Sequence, residues 1–370
     1  MKVLLLGDYS NCHVSLAAGL RRLGHFVVVA SEGSGWMDTE RTINLSRYIR
    51  GPLGGALLYA QLLTSRKLQG FDIVALTSPT FVRLKPHRIR KIFNLLKSRN
   101  DKIVLTAAGT DKAFVDMVTA VDCPLCYTEY FNVDGSQNMA NSANLEHDKL
   151  WQQGRLGEFC EYIYDNVDGV MTVLYEYHLA MQRRIPSNKL AYIGIPIDLE
   201  SVSPIQRSLV QDGKVNFFLG RKREYLDFKG TRILGNIAQI VVKENPDKCR
   251  LNIVENIPYR QYMEALRSGD LVLDQLYSYT PATNALLAMA AGQAVVSGAE
   301  PEYYDFIGEK SSFPVFNAVP DESRLYELLT DLVNNPDKII AAGAQGRDFV
   351  TKHNDCEIVA QRCLDFWESL

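Results

Sequence analysis

Between Tyr277 and Ala299 the chain carries no lysine, arginine, aspartate or glutamate, although a turn feeding a helix beside an apolar strand is a common place for an anion. Other absences are equally informative. No apolar run nears the roughly 18 residues of a membrane span, and the first one, Val3 to Leu6, is stopped by Gly7-Asp8, so neither a spanning helix nor a secretion leader is expected. The first turn, "GDYSNCH", lacks the Gly-x-Gly-x-x-Gly of dinucleotide binding, and Ala30-Ser31-Glu32 only weakly resembles the acidic strand end that holds a ribose. An NAD-dependent enzyme is disfavoured on both counts. No HxxxH, DxD-like or Cys/His cluster offers a metal site; Cys123-Pro-Leu-Cys126 has redox or zinc spacing, but no second pair completes it.

What is present points to a folded two-domain protein. The chain has 370 residues, 46% of them hydrophobic. Its seven cysteines are scattered, which suits a reducing, cytoplasmic compartment. Net charge is −3 but uneven: residues 1–110 hold 16 Lys/Arg against 6 Asp/Glu, and the remainder is acidic. The densest basic piece runs from Arg83 to Lys102, with eight basic residues and one acid. Ile89, Ile92, Phe93, Leu95 and Leu96 sit among those charges at helical spacing. Such a helix either lies on an anionic membrane surface or covers a sheet with its apolar face. Nucleic acid is disfavoured by the acidic C-terminal half and by the lack of a recognition motif.

Short apolar runs alternate with helical patterns. Lys2–Leu6, Phe26–Ala30, Asp72–Leu76, Lys102–Thr106, Gly169–Val173 and Leu190–Ile193 read as buried strands, with helices over His13–Leu23, Leu145–Asp165 and Glu176–Arg184. Gly194 to Gly213, rich in Pro and Ser, reads as a linker. The pattern then restarts with strands over Lys214–Leu219, Cys249–Val254, Leu271–Leu273 and Ala294–Ser297. Helices are expected over Lys229–Lys243, Tyr259–Ser268, Ala282–Ala291, Glu322–Asn334, Lys338–Lys352 and Cys356–Leu370. The fold class predicted is α/β, with two Rossmann-like parallel-sheet domains facing a cleft. Ligands of such sheets bind just beyond the carboxyl ends of the strands.

The residues at those ends are the candidates. Ser10, Asn11 and His13 offer neutral hydrogen-bonding groups suited to a hydroxyl-rich ligand, although Ser10 or Asn11 could equally cap the next helix. Asp111, in "TAAGTD", could orient an acceptor hydroxyl or act as a base, or could be a helix N-cap. Gly220-Arg221 follows a strand and Lys229-Gly230 opens a helix. An Arg and a Lys so placed could clamp a diphosphate and stabilise the charge that develops when a bond to its oxygen breaks; the alternative is surface charge.

"GR", then "KG", "GD…DQ" and "ALLAMAAGQAVVSG" followed by "EPE" resemble the C-terminal domain of GT-B-fold retaining glycosyltransferases, in particular the bacterial surface-polysaccharide type. "TAAGTD" and "YIGIPID" occupy the places of that family's acceptor-domain turn and interdomain segment. The resemblance implies an acceptor domain over 1–196, a donor domain over 197–350, and a closing helix at 351–370 packing back on the first. It implies sugar transfer from a nucleotide diphosphate sugar, as co-substrate, to a glycan or lipid-linked acceptor, with retention and with no metal or other cofactor. Arg221 and Lys229 would contact the diphosphate beside Gly220, and Glu255 and Asn256 would lie near the base. The family's Glu-x7-Glu pair falls on Tyr279 and Leu287. Tyr279, Thr280, Thr283 and Asn284 would then form a neutral sugar pocket, with Glu300 and Glu302 returning a carboxylate. Two other classes fit the same scaffold: a nucleotide-sugar epimerase, and a non-catalytic relative that binds a nucleotide sugar or glycan.

Overall fold

Val3 to Leu6 have no exposed surface, because the strand they form is covered on both faces. The computed structural model describes residues 1–205 and 213–370; of the linker expected over 194–213, residues 206–212 lie outside the described residues. The chain divides into two compact units. The first holds Met1–Cys123, Glu146–Asp198 and Asp355–Leu370; the second holds Pro124–Leu145 and Leu199–Asn354.

The first unit carries strands β1 (Lys2–Leu6), β2 (Phe26–Ser31), β3 (Ile43–Asn44), β4 (Ile73–Leu76), β5 (Lys102–Ala107), β6 (Gly169–Thr172) and β7 (Leu190–Tyr192). They form one parallel sheet in the order β3-β2-β1-β4-β5-β6-β7. The direction of winding reverses between β1 and β4, so the ends of those two strands face the usual ligand position of such a sheet. The C-terminal helix Cys356–Ser369 belongs to this unit. Its first N–H, from Cys356, donates to the Ile197 carbonyl, Lys102 Nζ donates to the Trp367 carbonyl, and Trp367 itself is buried.

The second unit carries β8 (Val215–Arg221), β9 (Cys249–Glu255), β10 (Leu271–Leu273), β11 (Ala294–Ser297) and β12 (Val315–Asn317), all parallel, in the order β12-β11-β10-β8-β9. Here the reversal lies between β8 and β10, where Leu219 is opposite Leu273. Phe217, Leu219, Leu271, Leu273 and Val296 make the sheet side of a core closed by Leu234, Ala238 and Val241 of the helix Thr231–Glu244 and by Leu325 and Leu329.

Three features depart from the expected pattern. The helix expected over Leu145–Asp165 is broken into Ser142–Asp148, a 3-10 turn Lys149–Gln152 and Gly154–Asn166; Gly154, at φ +53°, makes the break. A helix at Gly51–Thr64 has no sequence signature, because its apolar residues lie all round it and not on one stripe. Pro124–Leu145 leaves the N-terminal half of the sequence to join the second unit. It is nearly devoid of regular structure, so no periodicity could announce it.

The basic helix, Pro86–Lys97, uses Ile89, Ile92, Phe93 and Leu96 inside the first unit. Its apolar face is therefore unavailable to a bilayer, and only its charge points outward. The Arg90 guanidinium lies 3.7 Å from the centroid of the Tyr162 ring.

Candidate functional site

The carboxyl ends of β8, β9, β10 and β11 gather most of the charged and polar candidates of the second unit. Arg221, the last residue of β8, donates from Nε to Glu255 Oε2 at 3.0 Å, and Glu255 ends β9 directly opposite it. Arg223 holds the other oxygen, with Nε at 2.9 Å and Nη2 at 2.6 Å from Oε1. These two guanidinium groups, Arg223 foremost, hold the Glu255 carboxyl below the usual carboxylate range. Glu255 thus orients two arginines, a role not foreseen for it. Asn256, in the left-handed region at φ 52°, turns the chain away from the strand end, and its Oδ1 accepts from Arg223 N at 3.4 Å.

Lys229 is exposed just before the helix Thr231–Glu244, and its carbonyl accepts from Leu276 N at 3.0 Å. That bond ties the β8 loop to the first turn after β10 across the switch point. Lys222 stands close enough to Lys229 for the two ammonium groups to repel: burial first, and Lys229 second, push Lys222 below its ordinary value. Lys222 is a third cation at the strand end, and "RKR" at 221–223 is its only trace in the sequence. Glu224 acts on Lys222 in the opposite direction, as the weakest of the three causes, and two neighbouring ammonium groups attract an anion.

Gly220 lies under the Tyr262 ring; a Cβ there would sit 2.2 Å from a ring carbon. Tyr262 in turn donates to Asn284 Oδ1 at 2.5 Å, Asn284 Nδ2 donates to Asp274 Oδ1 at 2.9 Å, and Ser297 Oγ donates to Asp274 Oδ2 at 3.1 Å. Both ends of the Asn284 amide are thereby engaged within the protein. Asn284 braces the helix Thr283–Ala290 against the ends of β10 and β11. The preceding residue, Ala282, has no side-chain acceptor, so the first N–H groups of that helix have no side-chain cap. Thr283, at the first turn, is half-buried.

Tyr279 is held just as closely. It is 4% exposed, and its oxygen accepts from the backbone N–H groups of Cys126 (2.7 Å) and Tyr127 (3.2 Å). The Tyr127 and Tyr279 rings lie 5.2 Å apart, and Tyr127 Oη donates to Glu300 Oε1 at 2.6 Å. Asn138 Nδ2 donates to Tyr277 Oη at 3.1 Å, and Asn141 Nδ2 to the Asp227 carbonyl at 2.9 Å. Pro124–Leu145 therefore roofs the uncharged stretch. Leu276, Ser278, Tyr279 and Thr280 are all buried beneath it, which is the physical reason the stretch carries no charge. With two N–H partners the phenol oxygen has its acceptor capacity taken within the protein. Of the two carboxylates beyond β11, Glu300 serves this roof and Glu302 is exposed in the first turn of the helix Pro301–Phe306.

In the first unit, Asp8 caps the helix Cys12–Arg22 by accepting from His13 N at 2.9 Å, with Thr39 Oγ1 on its other oxygen at 2.8 Å. Neither Ser10 nor Asn11 caps it. Both have positive φ, 51° and 65°, and carry the turn, with Ser10 exposed. His13 is 1% exposed and its Nδ1–H donates to the Gly7 carbonyl at 2.7 Å. Burial pushes its imidazole down to about 4, so near neutral pH the ring is uncharged and Nε2 is an acceptor with no partner.

Asp111 is the N-cap of the helix Lys112–Val118, Oδ1 accepting from Phe114 N at 3.1 Å, and is 3% exposed. Burial raises its carboxyl to about 6. A raised folded-state value means that stability falls as pH rises from the unfolded value of 3.8 through about 6, and that the cost is complete above it. Asp111→Asn keeps a cap acceptor and removes the charge. The variant is expected to gain on the wild type between pH 4 and 7, by up to about 3 kcal/mol, in urea denaturation followed at both ends of that range. Equal pH dependence in the two proteins would refute the burial argument.

Among the described residues no group of His, Cys, Asp and Glu side chains could hold a metal ion, and no helix is long and apolar enough to cross a membrane.

Residues 218–365 match the model of the glycosyl transferase-like family. No curated protein matches the chain significantly. Solved structures of similar fold include sucrose-phosphate synthase from Thermosynechococcus elongatus (TM-score 0.62, 13% identity, 100% of this chain and 98% of that one). Anabaena HepE in complex with UDP and glucose aligns with TM-score 0.59 and 12% identity over 100% of both chains. S. aureus TarM, in complex with Fondaparinux, alpha-GlcNAc-glycerol and UDP, aligns with TM-score 0.56 and 13% identity. That alignment covers 85% of this chain and only 59% of TarM. The chain has the GT-B fold, and its segment 218–365 matches the glycosyl transferase-like family model.

Proposed function

We propose that the protein transfers a sugar from a nucleotide diphosphate sugar to a glycan or lipid-linked acceptor, with retention at the anomeric carbon. The observation that carries the reading is the cationic strand end of the second unit, where Arg221, Lys222 and Lys229 stand near the switch point between β8 and β10. HepE and TarM, which share the fold, each hold UDP, so UDP-sugars are the first donors to test.

When the bond from the anomeric carbon to the diphosphate oxygen breaks, negative charge collects on the leaving phosphate. Arg221, held in place by Glu255, and Lys229 stabilise that charge, and the uncapped first turn at Thr283 adds N–H donors. Three cations there would do the work of a metal ion, so turnover should survive EDTA. Ser10 and Asn11 receive acceptor hydroxyls; His13 and Asp111, both buried, act through the turns they hold. Glu302, exposed beyond β11, is the carboxylate best placed to meet the donor sugar, and Tyr279, Thr280 and Glu300 shape the pocket from behind. Residues 83–102 contribute charge alone toward an anionic membrane.

One observation favours a second reading, a non-catalytic nucleotide-sugar binder. The two positions of the resembled Glu pair are a buried, engaged Tyr279 and Leu287. A panel of UDP- and GDP-sugars, screened for thermal shift and for slow hydrolysis, separates the two. Stabilisation with release of free sugar supports the enzyme. Stabilisation without turnover on any glycan or lipid acceptor supports the binder, and no stabilisation by any nucleotide sugar would sink both.

A further inference from the structure

We propose that Tyr262 is a positioning residue of the diphosphate site: its phenol fixes the spacing between Arg221 and the first turn of the helix Thr283–Ala290. The inference rests on the sugar-transfer reading and adds to it a side chain that acts only through its neighbours. Tyr262 lies in the helix Tyr259–Leu266, which follows β9. Phe218 and Gly220 are two positions apart on β8, so they share one face of the sheet. The Tyr262 ring meets Phe218 edge to face, with centroids 5.6 Å apart, and then crosses Gly220. A Cβ at position 220 would lie 2.2 Å from Tyr262 Cε2 and 2.6 Å from its Oη. The missing side chain is what lets the phenol reach the strand end, one residue before Arg221.

From that point the hydrogen bonds run in one direction. Tyr262 Oη donates to Asn284 Oδ1 at 2.5 Å, and Asn284 Nδ2 donates to Asp274 Oδ1 at 2.9 Å. Asp274, 5% exposed, accepts on its other oxygen from Ser297 Oγ. A carboxylate only accepts, so the Asn284 amide turns its nitrogen to Asp274 and its oxygen to the phenol. Burial first, and Asp274 second, push the phenol far above its ordinary value, so it keeps its proton and remains the donor. Asp274 follows β10 and Ser297 ends β11. Asn284, Asp274 and Ser297 therefore tie the helix to those two strands, and Tyr262 is the member that adds β8. A buried row of fully engaged polar groups is rigid. Arg221, at the end of β8, and the first turn at Thr283 can meet the same leaving phosphate only while that spacing holds.

Tyr262→Phe keeps the ring over Gly220 and removes the donor. In steady-state assays with a UDP-sugar, kcat is expected to fall about tenfold or more, with KM within about twofold of wild type. The melting temperature should stay within about 3 °C. Asn284→Ala should lose at least as much, and the double variant should be no worse than Asn284→Ala alone, because the phenol acts through the amide. Three results would overturn the proposal: a kcat for Tyr262→Phe within about twofold of wild type, single losses that multiply in the double variant, or a loss carried wholly by KM. If the wild type binds UDP without turnover, the comparison is read by calorimetry, where Tyr262→Phe should weaken UDP about tenfold and an unchanged affinity overturns the proposal. A wild type that neither binds UDP or GDP nor turns over any nucleotide sugar would overturn the sugar-transfer reading and this inference together. An active wild type matched by Tyr262→Phe would overturn this inference alone.

Discussion

Lys229→Ala is expected to weaken binding of a nucleoside diphosphate by about 1–3 kcal/mol, a loss of roughly five- to 150-fold in affinity. The side chain is exposed, so the fold should not suffer. Its backbone carbonyl, which anchors Leu276 N, is retained by alanine. Lys222 sits beside it under mutual repulsion, and losing Lys229 should bring the Lys222 ammonium back toward its ordinary value. Calorimetric titration with UDP and with GDP at two salt concentrations measures the effect. An affinity unchanged at low salt would remove Lys229 from the phosphate site. An affinity lost only with Arg221→Ala would shift the clamp to Arg221 and its Glu255 brace.

Gly298→Ala should be the most destabilising single-methyl change near the site. A Cβ at position 298 would lie 1.8 Å from the Ser278 carbonyl oxygen, a backbone atom that no side-chain rotation can move aside. The Gly298 N–H also donates to the Gln275 carbonyl at 3.0 Å. The end of β11 and the turn after β10 would have to separate, and with them the roof held by Tyr279. Overpacking of this kind costs about 2–4 kcal/mol, which for a unit of this size lowers the melting temperature by roughly 5–15 °C. A melting temperature within about one degree of wild type would show that the turn yields freely.

Most strands were legible because they read as short apolar runs; Lys2–Leu6 and Leu271–Leu273 are found with the predicted bounds, whereas the two- and three-residue edge strands β3 and β12 are too short to show a pattern. Arg221 and Lys229 were legible as an Arg ending one strand and a Lys just before the next helix. Lys222 and Arg223 carry no such signal, since a run of charges in a loop looks like solvated surface until Glu255 is seen opposite. The helix Gly51–Thr64 was hidden by its lack of a polar stripe, and the same lack is what leaves Leu53 and Leu57 in solvent.

By itself the sequence determined two parallel sheets, the glycine and small-residue turn from Ala285 to Gly298, and a basic first half, because local periodicity and composition suffice for those. Only the tertiary structure decided the fate of Tyr277 to Ala299. Cys126, Tyr127 and Asn138 reach that region from more than 130 positions earlier in the chain, and no local pattern encodes such a contact. The stretch is uncharged because it is roofed, and Tyr279, standing where a carboxylate might be sought, holds the roof with a phenol because an ionised group buried there would be costly.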